Sequence, residues 1–255
     1  MNNQTVPAIL ISASKACPVS QNKQPLASLS CDISSGTVIF LVGLQHSITL
    51  PYMHMLAGIE IAGSGQVTLL GNNCLDMTST QKQLLRQQVG FVMQGGPLLS
   101  VLNGVENLKL AAHYHQTGDE QFIQQKAELL LADMPEEFDN LLLPTYMTKL
   151  QRRLLAIARP LMLNLQILFL DNPFEGLGHH DKVVVSRYIS NLAKNSSITL
   201  VINSDDLYFA HSHANQIIFC DYDETIVFNS WQDFYDSKRE TIALLFENDH
   251  IKTDA

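Results

Sequence analysis

Cysteine is scarce in this sequence, and basic side chains are outnumbered by acidic ones. Four of the 255 residues are cysteines, with no CxxC pair: Cys17, Cys31, Cys74 and Cys220. Such isolated thiols are typical of small buried side chains in a reducing compartment, and they exclude a disulfide framework or a zinc ribbon. Lysine and arginine number 16 against 25 aspartates and glutamates, and the formal net charge is −9. This balance argues against non-specific nucleic-acid binding, so we expect no nucleic-acid partner.

Long apolar runs are also missing. No stretch approaches the roughly 20 apolar residues that a membrane-spanning helix needs. The first ten residues, MNNQTVPAIL, have no basic region before their apolar part, which argues against a secretory signal. We therefore expect a cytoplasmic protein. The 46% share of hydrophobic residues is high enough for a sizeable core.

The chain is organised around one stretch, in which an apolar run ends at Gly43 and a helical pattern begins near residue 51. The run before Gly43, TVIFLV, is rich in β-branched residues, as a strand buried on both faces should be. A buried strand, a short turn and a helix form the setting of a P-loop. A P-loop also needs further glycines, a lysine for the phosphates and a Ser or Thr for magnesium. Here the lysine position is Thr49 and the metal-ligand position is Leu50.

Other apolar runs alternate with helical patterns along the chain. Continuous apolar strands separated by helices predict a mostly parallel sheet that is covered on both faces. The predicted strands cover 8–12, 26–33, 37–42, 66–70, 89–93, 166–170, 198–203, 216–220 and 225–228. The predicted helices cover 51–57, 80–88, 151–162, 181–193, 207–214 and 231–246. The fold class that we predict is therefore α/β and P-loop NTPase-like, with an antiparallel β layer near the start.

The domain organisation is predicted from the same pattern. We expect one domain over 1–255, because the α/β rhythm returns after a polar helical middle. That middle predicts a helical subdomain at about 95–160. A further amphipathic stretch predicts a C-terminal helical tail at about 231–250.

Short motifs occur in a fixed order behind the central strand. They are FVMQ (91–94), LNGVENL (102–108), MTKLQ (147–151), AIAR (156–159), ILFLD (167–171), NPFEGL (172–177) and LVINS (200–204). In order and spacing, the chain resembles an ABC-transporter ATP-binding subunit over nearly its whole length. FVMQ resembles the glutamine loop of that family, MTKLQ its LSGGQ signature, ILFLD its Walker B strand and LVINS the strand into its histidine switch.

The resemblance implies a nucleotide site and names its residues. The cofactor-binding positions would be Gly43, His46, Ser47, Ile48, Thr49, Leu50, Gln94, Thr148, Gln151 and Asp171. Gln94 and Asp171 would be the metal ligands. ATP with magnesium would then be the cofactor, but we expect its binding to be impaired and not to be required.

The phosphate loop departs from the family pattern in its charge and in its backbone. Thr49 cannot neutralise phosphate charge as a lysine does, and Leu50 offers no oxygen to magnesium. Ile48 replaces a loop glycine, and a β-branched residue resists left-handed backbone angles. Pro51 has no N–H, so we expect one anion-binding donor of the helix N-terminus to be lost.

The catalytic positions depart as well, so we assign no catalytic residue. Asn172 stands where the family has the glutamate that polarises water, and an amide cannot accept that proton. Ser204 replaces the switch histidine, and Gly178 replaces an aspartate. In the signature, we expect Leu150 to obstruct the approach of a partner subunit. Arg152 and Arg153 that follow are interpreted as a solvated helix face.

Three functions follow as alternatives. The first is a degenerate ABC-type subunit, a structural or regulatory pseudo-ATPase that docks to an integral membrane permease through residues 94–110. The second is a working ATPase, in which Gln94 and Asp171 hold magnesium and Lys149 or a partner's lysine replaces the lost one. The third is a soluble ABC-like interaction protein without a permease.

The resemblance also implies partners and a location. ABC subunits work in pairs, so a second ABC subunit is expected, in a homodimer or a heterodimer. The permease would hold the chain at the inner face of the membrane, as a peripheral protein. Residues 172–176 and the tail near Phe234 and Phe246 resemble the subunits of lipid-trafficking importers of the Mla type. Trp231 is interpreted as a packing residue.

Overall fold

The computed structural model describes residues 8–19, 26–135 and 139–248, which form two β-sheets surrounded by helices. The strands are β1 Ile9–Cys17, β2 Leu29–Ser34, β3 Val38–Val42, β4 Ser64–Leu69, β5 Asn72–Asn73, β6 Val89–Val92, β7 Ile167–Asp171, β8 Thr199–Asn203, β9 Gln216–Cys220 and β10 Thr225–Phe228. The helices are α1 His46–Leu56, α2 Ser79–Leu85, α3 Gly104–His115, α4 Glu120–Ala132, α5 Lys149–Ala158, α6 His179–Asn195, α7 Leu207–His213, α8 Trp231–Tyr235 and α9 Glu240–Asn248. Short 3₁₀ turns lie at Pro144–Tyr146 and Arg159–Met162.

The larger sheet has six strands in the order β10-β9-β3-β8-β7-β6. The five strands β9, β3, β8, β7 and β6 run parallel to one another, and β10 at the edge is antiparallel to β9. Every residue of β3, β7 and β8 is buried. Burial on both faces explains why these strands are continuous apolar runs in the sequence. The predicted α/β fold with a mostly parallel sheet is confirmed.

The smaller sheet is the antiparallel layer, in the order β2-β1-β4-β5. Strand β1 extends to Cys17, five residues beyond the predicted end, because it pairs with β2 on one side and β4 on the other. Both pairings change register between residues 13 and 17, and Lys15 has a left-handed φ of 45°. These irregularities allow the strand to continue where the alternation of apolar residues is lost.

Side chains divide the core between the two faces of the larger sheet. In β3, Val38, Phe40 and Val42 belong to one apolar cluster and Ile39 and Leu41 to the other. This is the two-residue period of a strand with both faces covered. The first cluster packs against the helices from α3 onward, and the second against α1 and the antiparallel layer.

Two helical predictions are wrong in their bounds. Helix α1 begins at His46, five residues before its predicted start, and carries Pro51 in its interior. The predicted tail helix is split into α8 and α9, whose aromatic rings pack on one another. Trp231 is a packing residue, with ring centroids 5.6 Å from Phe234 and 5.9 Å from Phe246. The last two residues of the predicted tail, 249–250, lie outside the described residues.

No helix in the described ranges is both long and apolar enough to cross a membrane.

Candidate functional site

The candidate site lies where the central parallel strands end. Gly43 follows β3, Asp171 is the last residue of β7, and Asn203 is the last residue of β8. Asp171 and Asn203 are direct register partners. The carboxyl ends of parallel strands share one edge of a sheet, which is where such folds place ligands. The structure thus brings together the phosphate-loop, Walker B and switch positions that the resemblance implies.

Gly43 is required by close packing at the end of β3. A Cβ atom built there would lie 2.4 Å from the backbone oxygen of Cys220 and 2.9 Å from Cγ2 of Thr49. Side-chain atoms do not approach backbone oxygens this closely, so only glycine fits without a shift of the chain.

A short hydrogen bond between two side chains crosses the site. Nε2 of His46, in the first turn of α1, lies 2.7 Å from Oδ1 of Asp171. The Asp171 side chain is 4% exposed and the His46 side chain 30% exposed. The hydrogen bond to Asp171 raises the pKa of His46 above its usual value, against the opposing effect of burial. The two partners stand 125 positions apart in the sequence.

The remaining bonds to Asp171 also come from within the chain. The Asn203 amide donates to Oδ1 at 3.0 Å, and the backbone N–H of Gln94 donates to Oδ2 at 3.4 Å. Gln94, which the resemblance implies as a metal ligand, therefore meets the Walker B carboxylate through a backbone donor. A backbone N–H is a donor and not a metal ligand, so this contact is not one that a shared metal ion would make.

The phosphate-loop positions fold as ordinary helix. Ile48 and Thr49 are each only 2% exposed, and no residue from Gly43 to Leu50 has a positive φ. The expected conflict between Ile48 and left-handed angles does not arise, because the backbone there is helical. Thr49 donates its hydroxyl to the backbone oxygen of His46 at 3.3 Å. The position of the family's lysine thus faces the protein interior.

The N–H groups of this turn are partly used within the chain. The N–H groups of Ile48 and Thr49 both donate to the oxygen of Gln45, at 3.0 and 3.4 Å. The Ser47 hydroxyl is exposed and lies 3.4 Å from Oε1 of Gln45. Since α1 begins at His46, Pro51 lies in the second turn. The prediction that Pro51 removes an anion-binding donor is therefore wrong.

Asn172 directly follows Asp171 in a left-handed conformation, with φ of 44°. Its N–H donates to the oxygen of Asn203 at 2.7 Å, and its own oxygen accepts from the guanidinium of Arg153 at 2.9 Å. The side-chain oxygen of Asn172 is buried without a hydrogen-bond partner. Residue 172 is thus held by its backbone, and its amide supplies no base.

Arg153 contradicts its interpretation as part of a solvated helix face. It is 5% exposed and donates to the backbone oxygens of Asn172, Pro173 and Glu175. Burial lowers the pKa of this guanidinium. Sequence reasoning missed this role because backbone oxygens are present at every position and leave no signal in the sequence.

The signature segment caps α5. The Thr148 hydroxyl accepts from the Gln151 N–H at 3.1 Å, and the Gln151 side chain accepts from the Thr148 N–H at 2.9 Å. This is a capping box. Leu150 is buried in the core, so its predicted obstruction of a partner is wrong. Nζ of Lys149 lies 3.4 Å from the oxygen of Gly176 in the same chain.

The switch position is also used within the chain. Ser204 is buried, and its hydroxyl accepts from the N–H of Asp206 at 3.1 Å. Gly178, in place of the family's aspartate, is the N-cap of α6 and makes no side-chain cap bond.

The residues present do not fit a magnesium ion. Mg²⁺ requires oxygen ligands in near-octahedral geometry. Leu50 has no side-chain oxygen, Gln94 contacts Asp171 through its backbone N–H, and both oxygens of Asp171 already accept hydrogen bonds. Across the described ranges, no group of three or more His, Cys, Asp or Glu side chains could hold a metal ion.

The comparison with family models decides the family. The model described as "ABC transporter" matches residues 26–175, more than half of the chain. The chain belongs to the ABC transporter family. The match begins just before β2 and ends four residues after Asp171, so it spans most of the site of this ABC transporter chain.

Curated relatives agree with this ABC transporter assignment. The chain is 29% identical over 185 residues to a macrolide export ATP-binding/permease protein, MacB, of Syntrophobacter fumaroxidans, covering 71% of the chain and 26% of that protein. It is 25% identical to the sulfate/thiosulfate import ATP-binding protein CysA of Nephroselmis olivacea, covering 83% of the chain and 60% of CysA. It is 26% identical to a probable CysA of Chlorella vulgaris, covering 88% and 92%. The chain thus spans less than two thirds of the first two relatives.

Solved structures share the fold of this ABC transporter chain. The cbiO1 protein of Clostridium perfringens, part of the ABC transporter complex cbiONQ, superposes with a TM-score of 0.79 at 18% identity, covering 89% of this chain and 91% of cbiO1. The dimeric bacterial ABC transporter cassette MJ0796 superposes with a TM-score of 0.73 at 19% identity, covering 83% and 94%.

Proposed function

We propose that this chain is an ATP-binding-type subunit of an ABC transporter complex that does not hydrolyse ATP and acts as a structural or regulatory pseudo-ATPase. The observation that carries the proposal is the hydrogen bond between Nε2 of His46 and Oδ1 of Asp171, 2.7 Å long. An acidic residue that should serve a metal ion is instead bonded to a side chain of the phosphate turn.

The other substitutions support the same conclusion. Thr49 is buried and offers no charge to a phosphate, and Asn172 cannot act as a general base. Lys149, the lysine that could compensate, is next to a backbone oxygen of its own chain. The alternative of a working ATPase needs both the phosphate charge and the general base to be replaced at once, so we rank it second.

We further propose that the chain works at the cytoplasmic face of the membrane, bound to an integral membrane permease and to a second ABC subunit. Large apolar side chains support a protein contact in the region proposed for docking. Leu99 is 48% exposed and Val101 81% exposed, and Met93 lies just before the region at 56%. Exposed apolar groups of this kind are typical of contact surfaces when they cluster.

We propose a lipid as the transported substrate. The resemblance of residues 172–176 to Mla-type subunits favours a lipid. The relatives are named for macrolide export and for sulfate and thiosulfate import.

ATP hydrolysis by the purified chain, and by the chain co-purified with its permease, tests the first part. We expect the same background rate for the wild type and for Asp171→Asn, because neither holds a metal ion. Hydrolysis that Asp171→Asn abolishes would overturn the proposal. Thermal unfolding reports binding separately, since a ligand at a hundredfold its Kd raises the free energy of unfolding by about 2.7 kcal/mol.

Co-purification tests the second part. An affinity-tagged chain extracted in mild detergent should bring an integral membrane protein with it. Val101→Glu should reduce that yield, because a charge would enter an apolar contact, whereas Leu129→Glu, at a residue 72% exposed on α4, should not. A chain that never co-purifies with a membrane protein would support the soluble interaction protein instead.

A further inference from the structure

The residue opposite Asp171 is a histidine of the phosphate turn. We infer that His46 is a built-in replacement for a divalent cation, and that its imidazole excludes Mg²⁺ and Mn²⁺ from Asp171. The inference rests on the proposed function, because both concern the same site. It goes further by assigning the exclusion of metal to one side chain.

The geometry leaves no room for a cation beside Oδ1 of Asp171. Nε2 of His46 lies 2.7 Å from that oxygen, and the Asn203 amide lies 3.0 Å from it. A magnesium ion binds oxygen at about 2.0–2.1 Å and keeps several waters around it. It could approach this oxygen only if the imidazole moved away.

Both ends of the contact are fixed by the fold. Asp171 ends a strand in which every residue is buried, and its side chain is 4% exposed. His46 is the first residue of α1, and Ile48 and Thr49 anchor the same turn in the core. The backbone of His46 is therefore fixed, and the hydrogen bond to Asp171 holds its partly exposed imidazole in place.

Of the three groups that bond Asp171, His46 is the one whose contact a side-chain substitution removes without changing a strand. Asn203 and the backbone N–H of Gln94 also bond Asp171, but the Gln94 contact cannot be removed by changing a side chain. Alanine at position 46 keeps the helix and cannot reach Asp171. Oδ1 of Asp171 would then lose the nearer of its two donors.

Binding of Mn²⁺ alone, followed by the loss of the free-ion EPR signal during titration, tests the inference. We expect His46→Ala to bind Mn²⁺ at least tenfold more tightly than the wild type. The double variant His46→Ala/Asp171→Asn should lose that gain. His54→Ala is the matched control: His54 belongs to the same helix but pairs with Glu60 at 3.2 Å, so its removal should change nothing.

Each outcome decides the question once circular dichroism has shown that the variants are folded. Equal Mn²⁺ affinity of the wild type and His46→Ala would overturn the inference, because His46 would then have no effect on metal binding. A gain in His54→Ala, or one that survives Asp171→Asn, would place the ion elsewhere and would also overturn it. His46→Gln gives a second readout: its amide oxygen is a possible metal ligand, so it should not exclude Mn²⁺ as the histidine does.

The proposed function and this inference fail separately. Hydrolysis of ATP by the wild type would overturn the function. A wild type that does not hydrolyse ATP, with a His46→Ala variant that gains no Mn²⁺ affinity, would overturn only the role of His46.

Discussion

Two regions of this molecule bury charged or polar side chains, and they satisfy them in opposite ways. Around α5, side chains bind backbone: Arg153 reaches three backbone oxygens beyond β7, and Arg159 reaches the oxygen of Pro97. At the phosphate turn, side chains bind each other, as His46, Asp171 and Asn203 do. The first arrangement holds loops in place. The second joins the ends of β7 and β8 to the start of α1.

The contrast indicates which contacts stabilise the fold of this chain. The loops that follow β6 and β7 are anchored by buried side chains, whereas the function proposed above needs no bound nucleotide at the phosphate turn. We therefore expect stability to be concentrated in the anchors, with a smaller contribution from the phosphate turn. The predictions below run from the largest expected loss of stability to the smallest.

Loss of Arg153 should have the largest effect. Arg153→Leu leaves backbone oxygens of the segment after β7 buried without donors, and such orphaned groups cost about 1–3 kcal/mol each. We expect the free energy of unfolding, measured with urea, to fall by roughly 3 kcal/mol. The matched control is Arg152→Leu. Arg152 is only partly buried and donates to the oxygens of Pro144 and Met147, so about 1 kcal/mol is expected. Equal losses would refute the difference between the two arginines.

A second anchor is Asn107, which is fully buried on α3. Its side chain accepts from the N–H of Leu99 and donates to the oxygens of Leu99, Leu102 and Asn103. Asn107→Ala should lower the stability by roughly 2 to 3 kcal/mol, because it removes the anchor of this loop.

The control for Asn107 lies four residues earlier. Asn103 caps α3 at a partly buried position, and loss of such a cap costs about 1 kcal/mol. Thermal unfolding followed by circular dichroism should place Asn103→Ala between the wild type and Asn107→Ala. A larger loss for Asn103→Ala would mean that capping, and not anchoring of the loop, dominates here.

Gly43→Ala tests how tightly the phosphate turn is packed. The added methyl group would meet the backbone oxygen of Cys220, so we expect a loss of about 1 to 3 kcal/mol. Gly178→Ala is the control, because nothing lies within 4 Å of its Cβ position and its φ is −69°. That variant should unfold within about 0.5 kcal/mol of the wild type. If both glycines tolerate alanine, the turn is looser than its geometry indicates.

Elements whose burial leaves a local sequence pattern could be predicted, whereas contacts between residues far apart in the sequence could not. The buried strands β7, β8 and β9 were predicted closely, because burial on both faces leaves a continuous apolar run. The start of α1 was predicted five residues too late, because Ser47, Ile48 and Thr49 have low helix propensity and Pro51 is typical of a helix boundary. Packing of Ile48 and Thr49 into the core overrides that local preference.

The candidate site divides in the same way. Its place at the strand ends, and the loss of lysine and glutamate, follow from motif order alone. The pairing of His46 with Asp171 could not be predicted, because the two residues are 125 positions apart and no sequence pattern or spacing links them. The acceptors of Arg153 were equally hidden, since any residue can supply a backbone oxygen.

The hydrogen bond between His46 and Asp171 should contribute least to stability, because one partner is partly exposed. A double-mutant cycle of His46→Ala and Asp171→Asn should give a coupling energy of about 1 kcal/mol. Asp171 raises the pKa of His46 in the folded chain, above an unfolded value near 6.5. The coupling should therefore be fully present below about pH 6.5 and fade as the pH rises through the folded pKa. Cycles measured at both ends of that window check this, and a coupling that grows with pH would show that the imidazole binds Asp171 in its neutral form.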